Sequence, residues 1–171
     1  MRKPALASIL DGISIPVAYK LGYITNFYRE PSFRLIEAEF GLTRPEILTL
    51  IFLDYQDAIA VSDICAFSGH LVPNISRAAI ALDSKGLVRR GPDPKDQRRQ
   101  ILFLTPAGRT LHDRFIPMLR SREADMLSCL SEREKSQFDR LIRKLAAHVP
   151  AWATLPEDAL KSSDDDSADA A

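Results

Sequence analysis

Two cysteines, Cys65 and Cys129, are all that this chain of 171 residues has. They lie too far apart for a metal motif and are too few for a disulfide framework, so a reducing interior is expected. No run of about 18 apolar residues occurs, which excludes a hydrophobic helix of membrane-spanning length. The seven glycines never cluster into a phosphate-cradling loop. The three histidines, His70, His112 and His148, are dispersed, without an H-E-x-x-H pair, and no G-x-S-x-G is present. No catalytic constellation emerges, and the reading is of a protein that is not an enzyme and has no cofactor or bound metal. His112, near Arg114, reads as a surface or interface residue. Charge of one sign is lacking too, with 23 Lys and Arg against 23 Asp and Glu, which excludes a globally basic protein. The opening Met1-Arg-Lys-Pro begins like a secretion signal, but Asp11 and Gly12 interrupt it, so the expected location is the cytoplasm.

The zero total hides a split. Residues 75–99 hold seven cations against three anions, whereas residues 157–171 hold six anions against Lys161. The acidic end is rich in Ser, Asp and Ala and is expected to be a solvated, disordered tail. The basic segment can present a positive face to a partner.

Between these lies a regular order of elements. The spacing of Val17, Leu21, Ile24 and Tyr28 predicts a helix over 15–28, capped by Ser14, which Pro31 ends or bends. A further helical stretch covers 33–40. Thr43-Arg-Pro-Glu46 is a capping box with proline in the first turn. A brief helix over 63–67, capped by Ser62, precedes a helix over about 73–85. There Ile75, Ala78, Ala79 and Leu82 share one face, and Lys85-Gly86 supplies the stop. Two short β-like runs, 87–90 and 101–105, flank a polar tip rich in Pro, Asp and Arg. A long helix opens at Pro106 with a kink expected at Pro117, and Ser131-Glu-Arg-Glu134 caps a last one.

Helix, short helix, helix and basic hairpin in this order is the plan of a winged helix-turn-helix. The fold expected is mainly α, with a β-hairpin wing and long N- and C-terminal helices whose apolar stripes need a second copy of the chain. The face of helix 73–85 opposite its core side shows Pro73, Asn74, Ser76 and Arg77. Asn pairs with adenine N6/N7, Arg with guanine O6/N7 and Ser with bases or phosphate, so this end suits the major groove of double-stranded DNA. Lys95, Arg98 and Arg99 on the hairpin suit the negative potential of a narrow minor groove. The Asp96 carboxylate, two residues before Arg98, suits bracing that guanidinium. Arg44, at the start of its helix, is a candidate phosphate contact.

The run Lys85-Gly-Leu-Val-Arg-Arg90, then Asp93-Pro-Lys-Asp-Gln-Arg98, then Ile101-Leu-Phe-Leu-Thr-Pro-Ala-Gly108, resembles the MarR-type winged-helix transcriptional regulators. The resemblance covers most of residues 15–149. It implies a homodimer joined through N- and C-terminal helices and bound to a near-palindromic operator, usually as a repressor. It makes Asp96 and Arg98 the wing pair and Pro73–Arg77 the start of the recognition helix. Leu71-Val72 stands where relatives usually cap that helix with Ser or Thr, and Gln97 where many carry Arg. The implied organisation is dimerisation helices over 1–40 and 106–150, a DNA-binding domain over 43–105 with its wing at 87–105, and the tail over 151–171. A small aromatic effector between dimer helices and winged domain is also implied, with Tyr19, Tyr23 and Phe27 as wall candidates. Two rival readings remain: a regulator of the same fold switched by oxidation of Cys65 or Cys129, and a winged helix serving only to bind proteins.

Overall fold

A computed structural model describes residues 6–155 apart from Asp57, Pro94, Lys95, Gln97 and Arg98. The elements run α1 (Leu6–Gly12), α2 (Pro16–Phe40), α3 (Arg44–Tyr55), β1 (Ala58–Ala60), α4 (Val61–Ser68), α5 (Val72–Ser84), β2 (Val88–Pro92), β3 (Gln100–Leu104), α6 (Pro106–Leu127) and α7 (Glu132–His148). A short 3-10 turn over Val149–Ala151 follows. The chain divides into two compact units between Met126 and Leu127.

In the first unit the sheet has the order β1-β3-β2, antiparallel throughout, with Arg89 opposite Phe103 and Ile59 opposite Leu102. The predicted hairpin is β2 and β3. The strand β1 was not expected, because three residues carry no readable alternation. Helices α3 and α5 pack on one another over Ile47, Leu50, Leu53, Ile75, Ala79 and Leu82, all nearly inaccessible. Leu102 and Val88 of the sheet join the same core. The inner stripe of α5 read from the sequence is the buried stripe found, since Ile75, Ala78, Ala79 and Leu82 are its four buried residues.

The capping box at Thr43 has a second use. Glu46 returns to the Thr43 N–H at 2.5 Å, yet its side chain is buried, and its other oxygen accepts from Lys85 Nζ at 2.8 Å. The same ammonium donates to the Gly41 carbonyl at 2.9 Å. One carboxylate therefore closes the start of α3 and holds the end of α5 against it. Gly86, at φ +69°, then turns the chain out of α5, and Leu87 N–H reaches back to the Leu82 carbonyl at 2.9 Å.

Several boundaries differ from those predicted. The first two predicted helices are one, because α2 runs through Pro31 to Phe40. Proline removes the N–H that would serve the carbonyl of Phe27. Arg122 of α6 supplies a donor instead, its Nη2 lying 3.1 Å from that oxygen. The helix begins after Ile15 without a side-chain cap, not at Ser14. Helix α4 likewise starts at Val61, directly from the extended Ala60, so Ser62 is inside it and not its cap. His112 is only 3% exposed and packs edge-on against Phe115, 5.4 Å between ring centres, so it is a core residue and not a surface one. The helix carrying it lies with Phe115 and Leu119 inward, and position 112 falls one turn before Phe115. Residues 156–171, the greater part of the predicted acidic tail, lie outside the described residues.

In the second unit, Ser131 Oγ accepts from the Glu134 N–H at 3.4 Å, while Glu134 accepts from the Ser131 N–H at 2.8 Å. The Ser131 hydroxyl also donates to the Glu134 carboxylate at 2.7 Å, and this bond, together with the one from the Ser131 N–H, holds the Glu134 carboxyl below the usual carboxylate range. The capping box predicted there is present. Phe138, Leu141, Ile142 and Leu145 of α7 are exposed apolar residues in this single chain.

The junction of α5, β2, β3 and α6 leaves no room. The Thr105 hydroxyl donates to the carbonyls of Gly86 and Leu87 at 2.8 and 2.9 Å and accepts from the Gly108 N–H at 3.0 Å. A Cβ at Gly108 would stand 2.0 Å from the Leu87 oxygen, far inside the contact distance of a carbon and an oxygen. Gly108→Ala is expected to cost about 3 kcal/mol or more of stability by forcing backbone apart. Urea denaturation would check this, and a midpoint unchanged from wild type would refute the role given to the close approach.

Candidate nucleic-acid interface

The underside of α5 is locked in the core, so its other faces must point outward. Pro73 and Arg77 are exposed, and Asn74 and Ser76 are half-buried. Arg77 lies along the helix: its Nε donates to the Pro73 carbonyl at 3.2 Å and its Nη2 to Asn74 Oδ1 at 2.9 Å. The amide and the guanidinium thus form one donor-rich unit on the first turns of α5. All four residues expected on this face from the sequence are brought together at one helix end.

Two grooves border that end. One, of about 300 Å³, runs past Asn74 and Arg77 to Thr43 and Pro45 at the start of α3. The other, of about 330 Å³, lies between α5 and the sheet, with Ser62, Ser76, Arg90 and Arg99 on its walls. Arg90 was not singled out from the sequence. Its signal was available: strand alternation separates it from Arg89, whose guanidinium instead lies over the Phe103 ring at 4.3 Å.

The wing is described in part. Lys95 and Arg98 lie outside the described residues, so the expected pairing of Asp96 with Arg98 does too. Asp96 is described and accepts from the Arg99 N–H through its backbone carbonyl at 2.9 Å. Arg99 does not extend from the wing into solvent. Its Nη2 is bonded to both oxygens of Asp63, at 2.9 and 3.0 Å.

Arg44 is engaged with carboxylates of α2. It grips Glu30 of α2 with two nitrogens, at 2.5 and 2.7 Å, and its Nε lies 3.5 Å from Glu37. The bidentate bond from Arg44 holds the Glu30 carboxyl below the usual carboxylate range. Tyr19, Tyr23 and Phe27 share a surface groove of about 480 Å³ on α2, with Ile15, Ala18, Gly22 and Asn26. Tyr23 and Phe27 are in ring contact, 4.7 Å between centres.

Among the described residues, Asp54, His112 and Asp113 bring one ligand atom each within 4.8 Å of one another. His112 Nδ1 faces Asp113 at 3.1 Å and Nε2 faces Asp54 at 3.7 Å. Arg109 is hydrogen-bonded to the Asp54 carboxylate, and its charge opposes a cation there. Cys65 is half-buried, and desolvation pushes its thiol above the usual value, which lowers the thiolate fraction on which oxidation depends. Cys129 is exposed. No helix among the described residues is long and apolar enough to cross a membrane.

With this geometry in hand, the comparisons with known proteins are specific. Residues 40–99 match the model of the MarR family, a range that contains α3, β1, α4, α5 and β2 and stops just before β3. The chain is 38% identical over 64 residues to the transcriptional regulator HosA of Escherichia coli O111:H-, a match covering 37% of this chain and 47% of HosA. The chain therefore spans about half the length of the curated relatives it first matches. A MarR family transcriptional regulator from Silicibacter pomeroyi superposes with a TM-score of 0.73 at 28% identity, over 85% of this chain and 97% of that one. MepR from S. aureus, solved as a DNA complex, superposes with a TM-score of 0.65 at 26% identity, over 76% and 96% of the two chains. The mainly helical architecture with a small antiparallel sheet is the MarR winged-helix fold.

The Glu30–Arg44 pair makes a pH prediction. A carboxyl depressed in the folded state contributes stability that is present above its unfolded value and is lost as pH falls through its lower folded one. Arg44→Met should return the Glu30 titration to the ordinary carboxylate range and remove that acid-side loss. Carboxyl chemical shifts against pH would read it, and an unmoved Glu30 midpoint would contradict the cause given.

Proposed function

We propose that this chain is a sequence-specific, double-stranded DNA-binding regulator that acts as a homodimer on a near-palindromic operator, usually to repress. The observation that carries the reading is the Arg77–Asn74 unit on the exposed start of a helix whose opposite face is fully buried. A rigid helix offering guanidinium and amide donors at its N-terminal end matches what a major groove recognises. Its neighbour in sequence, the basic wing, follows the same plan, with Lys95 and Arg98 serving the minor groove and Asp96 aiming Arg98. The DNA-bound state of MepR supports the reading by analogy. Repression follows from occupancy, because a dimer clamped on a promoter excludes polymerase.

The dimer rests on apolar area that a lone chain leaves in water. Val17, Ile24 and Phe27 on α2 are exposed, as are Phe138, Leu141, Ile142 and Leu145 on α7. Exposed apolar side chains on a helix are the material of an interface between copies of a chain. The organisation proposed is dimerisation through 1–40 and 106–150, DNA binding through 43–105, and an acidic tail over 151–171. Two recognition helices would then lie about 34–36 Å apart, one turn of duplex. The Tyr19–Tyr23–Phe27 groove suits a small aromatic effector, which would act by binding one spacing of the two DNA-binding lobes better than the other. The cytoplasm is the matching compartment.

Selection of bound duplexes from a random pool supplies the operator. On it, log Kd should rise linearly with log salt, with a slope of about 0.9 per phosphate neutralised. Arg77→Ala should cost about 2 kcal/mol and relax discrimination at one position of each half-site, leaving the dimer intact by sedimentation. Uniform, salt-insensitive association with every duplex would defeat the proposal.

A further inference from the structure

Arg99 lies where the wing returns to the sheet, one residue before β3, and the backbone closes around it. The Asp93 N–H donates to the Arg99 carbonyl at 2.9 Å, the Asp96 N–H to the Asp93 carbonyl at 3.2 Å, and the Arg99 N–H to the Asp96 carbonyl at 2.9 Å. Its side chain leaves the wing altogether. Nη2 reaches the first turn of α4, where it donates to both Asp63 oxygens and, at 3.2 Å, to Ser62 Oγ. A carboxylate in the first turn is already favoured there by the N–H groups of the helix, so Asp63 is a fixed post. Helix α4 in turn packs on α5. Arg99 thus joins the loop closure of the wing to the helix-turn-helix by side-chain bonds.

As a source of stability the pair counts for little, since its side chains are 41% and 43% exposed. Its effect is directional, because a guanidinium held by three oxygens fixes where the loop stands.

We propose that the Asp63–Arg99 pair is a tether that sets the wing relative to α4 and α5, so that Arg99 is a positioning residue and not a DNA contact. The consequence for affinity rests on the DNA-binding reading above; the tether itself does not. The sign separates this from simple electrostatics. Asp63 carries negative charge beside a surface meant for phosphates, so on charge alone its removal should tighten binding, and more so if it released Arg99 toward the duplex. With a tether, removal weakens binding.

The test uses Asp63→Asn, Arg99→Gln and the double variant of the full chain. Without DNA, hydrogen exchange at the Asp93, Asp96 and Arg99 amides should accelerate equally in all three, at an unchanged global unfolding midpoint. On the selected duplex, Asp63→Asn should weaken binding by about three- to fivefold. Arg99→Gln should add nothing in the Asp63→Asn background and should leave the salt slope at its wild-type value. Unchanged exchange, tighter binding by Asp63→Asn, or additive losses with the slope reduced by about one would each overturn the tether. Should the wild type bind no duplex at all, the DNA-binding reading fails, and the exchange rates alone still decide the tether.

Discussion

The close approach of the Gly108 backbone to the Leu87 carbonyl, which leaves no space for a Cβ, organises the winged domain. Four elements converge on that point: α5 ends just before it, β2 leaves from it, β3 runs into Thr105, and α6 begins over it. The Thr105 hydroxyl satisfies carbonyls on one side and an α6 N–H on the other. It therefore serves as a helix cap and as the fastening between two parts of the chain. A side chain at position 108 would lever α6 away and take the end of α5 with it. This is the physical reason why a Lys-Gly-Leu run and a Leu-Thr-Pro-Ala-Gly run 15 or so residues later work as one unit, although neither carries any DNA-reading group.

The same economy appears at Glu46. A capping box on the surface needs only to satisfy orphan N–H groups, and its members are usually wet. Here the carboxylate is buried and faces Lys85, so that local helix capping and the docking of α3 on α5 share one charge. A buried carboxylate without its cation would cost more than the cap contributes. The register between the two helices is thereby specified by chemistry, not only by shape. The outer face of α5 inherits its orientation from this arrangement: Asn74 and Arg77 point outward because Ile75, Ala78 and Leu82 cannot.

Much of this was legible in the residues. The inner stripe of α5, the cap at Ser131, the stop at Gly86 and the hairpin all follow from short-range rules, because each depends on groups within about one helical turn or one strand pair. What escaped was non-local. The strand β1 exists only because β3 offers it an edge, and three residues cannot announce that. The burial of His112 depends on which way α6 rolls against the core. Arg44 and Arg99 read as free cations because sequence shows charge but not partners; Glu30 lies 14 positions from the first and Asp63 lies 36 from the second. A run of cations predicts a positive face only for those members that no carboxylate has already claimed.

Pro31 makes the same point from the opposite side. Read locally, a proline after 15 helical residues is a stop, since it leaves the carbonyl four residues earlier without a donor. The cost of that proline is the unserved oxygen of Phe27, and the guanidinium of Arg122 meets it. The hydroxyl of Tyr28, one residue on, donates to the Leu119 carbonyl of the same α6 at 3.3 Å. Helix α2 thus stays continuous where α6 crosses it, and it does so because the crossing supplies hydrogen bonds that its own backbone lacks. A long helix interrupted by proline is stable only while its neighbour stays in place. Displacing α6 from α2 would return Pro31 to its ordinary role as a break, which couples the continuity of the N-terminal helix to its packing.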